Sequence, residues 1–100
     1  MKMAHSTVDS LALPPAALEH GGVEVLRAVI VEKGLQVSLR RAFKDPFVWG
    51  VLIADVARHA ARIFAAETKI SEHAALARIR KMFDAELNKP TDLGSTSTIS

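Results

Sequence analysis

The chain has 100 residues, 49% of them hydrophobic, which is ample for a packed core and argues against global disorder. Thirteen basic residues against eleven acidic leave a net charge of +2, too balanced for the one-sided basic face of a duplex-binding domain. With no cysteine, disulfides, thiolate metal sites and cysteine nucleophiles are all excluded, and a reducing compartment fits. The length suits one domain. The central charge-free run, residues 46–54, falls far short of the ~20 residues needed to span a bilayer. Asp9 interrupts the N-terminus before a signal-peptide core forms. The expectation is a soluble, cytoplasmic protein with residues 1–10 disordered, a single domain over 11–90 and a flexible tail over 91–100.

In chain order, residues 11–22 read LALPPAALEHGG. Pro14 and Pro15 can open one helical turn through Glu19, which Gly21 and Gly22 would stop. The same stretch can instead lie extended as an arm on the domain. Residues 23–31 are β-branched and apolar apart from Glu24 and Arg27, a strand composition. Glu32, Lys33 and Gly34 form a turn in which Gly34 is free to take positive φ. Residues 35–40 then alternate, Leu35, Val37 and Leu39 against Gln36, Ser38 and Arg40. Together the two runs predict an antiparallel hairpin. Its register stays open. A three-residue loop ending in a left-handed Gly34 pairs Val31 with Leu35, Val29 with Val37 and Arg27 with Leu39. An even loop instead aligns Leu26, Ala28 and Ile30 with the apolar set of the second strand. Either way the first strand carries apolar groups on both faces, more than a one-sided sheet needs.

Residues 45–68, DPFVWGVLIADVARHAARIFAAET, predict the central helix. Asp45 is a fitting N-cap and Pro46 a fitting first helical residue. Asp55, Arg58, His59 and Arg62 recur at steps of three and four, so they share one polar stripe. Val48, Trp49, Leu52, Ile53, Val56, Ala60, Ile63 and Phe64 occupy an apolar arc wide enough to need cover on more than one side. Gly50 lies inside it, at about 1 kcal/mol against alanine. Close approach of another backbone would explain it; a tolerated surface glycine is the plainer alternative. Ser71 then caps a second helix over about 72–88, with Leu76, Ile79, Met82, Phe83 and Leu87 at helical spacing and Pro90 as its stop.

The predicted fold is α+β: a hairpin followed by two helices packed on one face, in two layers. The central helix would run about 36 Å, longer than six- to nine-residue strands of ~20–30 Å can cover. That surplus predicts a two-fold homodimer, joined through strand edges into a four-stranded sheet or through the central helices about Gly50. A compact monomer, with residues 11–18 filling the gap, is the competing expectation.

Candidate chemistry is sparse. Asp55 and His59 stand four apart and could orient an imidazole or hold a metal. Zinc needs three or four ligands, and no second pair has matching spacing. A surface cluster of Asp55, Arg58 and His59 explains them as well. Arg40, Arg41, Lys44, Arg58 and Arg62 beside Phe43 and Trp49 could meet single-stranded nucleic acid by stacking, although both aromatics are better explained as core. There is no nucleophile elbow and no glycine-rich phosphate loop. No metal, cofactor or catalytic residue is expected.

The order PPAALEHGG, a hairpin closing in VSLR, DPFVWG, ADVARHAAR and RIRKMFDAELNKPTD resembles a family of small bacterial proteins, common in proteobacteria, catalogued only as a domain of unknown function. The resemblance covers about residues 11–92. It implies a single α+β domain in the cytosol and brings no activity, cofactor or site residue. The expected role is a homodimeric interaction or regulatory module without catalytic activity, with Asp55, Arg58, His59 and Arg62 as its binding surface. A nucleic-acid-binding protein is the alternative.

Overall fold

A computed structural model describes residues 7–94 and residue 96. The expected disorder of residues 1–6, and that of residues 95 and 97–100 in the tail, lies outside the described residues. The chain is α+β: helix α1 (Pro15–His20), strands β1 (Leu26–Val31) and β2 (Gly34–Leu39) in one two-stranded sheet, then helices α2 (Phe47–Glu67) and α3 (Glu72–Asn88). It divides into two units, Met1–Ser38 and Leu39–Ser100.

In the first unit the proline pair does start a helix rather than an extended arm. The Pro14 carbonyl accepts from the amides of Ala17 and Leu18 at 3.0 and 3.2 Å. Gly21 ends α1 at φ +77°, a left-handed value that suits glycine, and its amide returns to the Ala17 carbonyl.

The turn of the hairpin differs from expectation. Glu32 and Lys33 take positive φ, 49° and 73°, while Gly34 opens β2. Two left-handed residues in a two-residue loop make the primed turn that matches strand twist. An even loop sets Ile30 opposite Leu35, Ala28 opposite Val37 and Leu26 opposite Leu39. The glycine-based register is therefore wrong. Left-handed Glu and Lys cost about 1–2 kcal/mol each, but slipping by one residue would turn one strand's whole apolar set to the opposite face. β1 begins at Leu26 and not at Val23 because β2 ends at Leu39, so residues 23–25 have no strand to pair with. One sheet face is apolar throughout: Leu26, Ala28, Ile30, Leu35, Val37 and Leu39. It is open, with Ile30 70% and Leu35 62% exposed.

The second unit is a helical hairpin. The Asp45 carboxylate accepts the Phe47 amide at 3.0 Å, and Pro46 is already helical at φ −56°, ψ −26°. Thr68 stops α2 in extended backbone, donating both its amide and its hydroxyl to the Phe64 carbonyl. The Ser71 hydroxyl accepts the Ala74 amide at 3.1 Å and opens α3 with Glu72 in its first turn. Past the end of α3, the Glu86 carboxylate accepts from both the amide and the hydroxyl of Thr91.

Helices α2 and α3 pack against each other, and Ala61 of α2 and Ala75 of α3, 0% and 3% exposed, are the only buried side chains among the described residues. Val48, Trp49 and Leu52 are half-buried and Ile53 is exposed. Among the described residues, nothing therefore fully hides the wide apolar arc. A Cβ on Gly50 would meet nothing within 4 Å, so among the described residues no backbone outside its own helix approaches it.

Candidate functional site

Asp55, Arg58, His59 and Arg62 all lie on α2 and all are exposed. Helical geometry puts them on one stripe, yet they do not converge. Among the described residues no hydrogen bond or ion pair joins Asp55 to His59, and no group of three or more His, Cys, Asp or Glu gathers as a metal site would require. Arg62 reaches across to α3, its Nε 3.8 Å from a Glu72 oxygen. That pair is exposed at both ends and contributes little to stability. Its effect is to hold Arg62 over the helix junction.

Arg58 has a different neighbourhood. It borders an apolar groove of about 580 Å³ between α2 and α3. Gly50 and Ala57 line its α2 side with Ile53 and Phe64; Ile79 and Phe83 line its α3 side; Arg58, Arg80 and Asp84 are its charged rim. Ile53, Phe64 and Phe83 are each between 40% and 52% exposed. Small residues on α2 open this groove, and large ones on both helices wall it. The helical spacing of Ile79 and Phe83 was legible in the sequence. That they would face a groove instead of a filled core was not, because this depends on how α2 and α3 pack against each other.

The loop over residues 40–46 is anchored from within. The Arg41 carbonyl accepts the Trp49 indole N–H at 2.7 Å and the Phe43 amide at 2.7 Å. The Phe43 and Trp49 rings meet edge to face at 5.8 Å and 69°. Arg40, Arg41 and Lys44 are exposed around this knot. The aromatic rings that would stack on bases are half-buried and engaged with each other.

A second groove lies wholly within the first unit, between residues 7–14 and the stretch from Leu26 to Glu32, with a volume of about 780 Å³. Consecutive residues of β1 line it, so it runs along the strand's outer edge and not over one face.

A family model described as a domain of unknown function, DUF5076, matches residues 10–91. A solved structure from the photosynthetic bacterium Rhodopseudomonas palustrus CGA009, named a "putative pyruvate dehydrogenase", is 42% identical over 96% of this chain and 100% of its own, with a TM-score of 0.77. No curated protein matches the chain.

Proposed function

This chain belongs to the DUF5076 family, a domain of unknown function, and from that premise we propose that it is a homodimeric interaction or regulatory module without catalytic activity. The observation that carries the reading is the burial pattern. Among the described residues no large side chain is fully buried. Each half-exposed Ile, Leu, Phe or Met withholds about 1 kcal/mol of transfer free energy. Ile30, Leu35, Ile53, Phe64, Met82 and Phe83 together withhold about 6 kcal/mol, comparable with the whole net stability of a small domain. A second copy can cover part of this surface at no cost in new sequence, and two-fold pairs are the commonest closed assembly. The family match over residues 10–91 supports treating 11–90 as one functional unit.

In this reading the stripe of Asp55, Arg58, His59 and Arg62 remains free to bind a protein partner. The setting is cytoplasmic, supported by the absence of cysteine; among the described residues no helix is long and apolar enough to cross a membrane. The relative from Rhodopseudomonas carries an enzyme's name. The carboxylates and imidazoles among the described residues give that activity little support: all are exposed except Glu86, which is half-buried and occupied by Thr91. Nucleic-acid binding through Arg40, Arg41, Lys44, Arg58 and Arg62 is disfavoured by the mutual packing of Phe43 and Trp49.

Size-exclusion chromatography with light scattering at micromolar concentration tests the assembly. The expected mass is twice 10.8 kDa. A single species at 10.8 kDa overturns the reading, and so does turnover of pyruvate by the purified chain.

A further inference from the structure

We propose that β1 is the joint of the dimer: its outer edge pairs antiparallel with β1 of a second copy, giving one four-stranded sheet in the order β2-β1-β1-β2. This deepens the homodimer reading and rests on it.

Among the described residues the sheet has two strands, so β1 has β2 on one side and no described strand on the other. With Glu32 and Lys33 as the whole loop, Val31 and Gly34 are the hydrogen-bonded pair that closes the turn. Arg27, Val29 and Val31 therefore direct their amides and carbonyls to β2, and Leu26, Ala28 and Ile30 direct theirs outward. Those outward groups lie along the groove between β1 and residues 7–14, which follows the strand from Leu26 to Glu32. The occupant must be extended, because only an extended chain offers donors and acceptors at the spacing of a strand edge.

The occupant must also be apolar on both sides. Leu26, Ala28 and Ile30 flank the edge on one face, Val29 and Val31 on the other. β1 also lacks the usual protections of an edge. It has no proline and no lysine, and its one charge, Arg27, is held by the Glu24 carboxylate at 2.9 Å. β2 is unlike it: Gln36 and Ser38 alternate with its apolar residues, and Arg40 and Arg41 follow it. Among the described residues, the one segment that is extended, apolar on both faces and without a strand along one edge is β1 itself. Two copies satisfy each other. The pairing also answers the weakness of the hairpin, since two strands alone are marginal and a four-stranded sheet is not.

The alternation gives a test in the full-length protein. Proline at 28 removes an outward donor while leaving the ladder to β2 intact, because edge positions whose amide faces away from the neighbour tolerate it. Ala28→Pro is expected to weaken dimerisation on the order of 100-fold by light scattering over a dilution series while α2 and α3 keep their circular dichroism. A folded Ala28→Pro variant that dimerises like the parent overturns the β1 joint and leaves the dimer reading standing. A parent protein that is monomeric overturns both.

Amide hydrogen exchange on the unaltered protein covers the case in which the variant does not fold. Protection of the Leu26, Ala28 and Ile30 amides that fades on dilution, with Val29 and Val31 protected throughout, supports the joint. Fast exchange of the three outward amides in the dimer overturns it. Protection independent of concentration overturns it as well, because residues 7–14 of the same chain then occupy the edge.

Discussion

Trp49 donates its indole N–H to the Arg41 carbonyl at 2.7 Å, eight residues back, and so ties the start of α2 to the loop that leads into it. The same carbonyl takes the Phe43 amide, and the Phe43 ring meets the indole at its edge. Trp49→Phe keeps an aromatic and removes the donor. The expected loss is about 1 kcal/mol, the net value of one hydrogen bond, because Arg41 keeps its other donor. Thermal unfolding followed by circular dichroism measures it; no change in midpoint would show that the indole N–H is equally well served by water.

At Gly50 the direction reverses. An added Cβ meets open space, so Gly50→Ala should add about 1 kcal/mol through helix propensity alone. Denaturant unfolding at fixed protein concentration reads this directly. A loss of stability would mean that the assembled protein brings a backbone against this position, the close approach that one chain does not show.

The Glu32–Lys33 turn carries two non-glycine residues in the left-handed region. Making Glu32→Asn and Lys33→Gly together installs the asparagine–glycine pair that primed turns prefer, keeps the loop length and lowers the strain. The expected gain is about 1 kcal/mol or more. Hairpin amide exchange is the suitable readout, since it isolates this element. Unchanged or faster exchange across Val29 and Val31 would contradict the primed turn.

Ala61 and Ala75 are the residues of α2 and α3 most fully buried among the described residues. Ala61→Leu forces extra methylenes into a contact with no spare room and should cost about 1–3 kcal/mol. Ala65→Leu, one turn along where the side chain is only half-buried, should cost less. Equal effects at the two positions, in the same urea titration, would refute the tight Ala61 contact.

Much of the fold was legible because local signals agreed with one another. Asp45 with Pro46, and Ser71 with Glu72, mark helix starts whose hydrogen bonds depend on neighbours within three residues. Pro90 ends α3 for an equally local reason. The hairpin register stayed open in the sequence for the opposite reason. Gly34 had the right chemistry for positive φ, but the register is fixed by the apolar set of Leu26, Ala28 and Ile30 meeting Leu35, Val37 and Leu39, a non-local condition. The candidate site was legible only as a stripe. Periodicity gave Asp55, Arg58, His59 and Arg62 a common side of α2. It said nothing of the groove beside Arg58, because that groove depends on how α2 and α3 pack against each other.

A molecule whose Ile30 and Leu35 stand in solvent would, under the proposed pairing, have a lifetime that depends on how crowded it is with its own kind. If copies pair as proposed, residues beside the joint are handles for proteases and chaperones when copies are scarce and are withdrawn when copies are plentiful. Synthesis rate would then act as a threshold: a modest rise in production carries the population from rapid clearance to persistence.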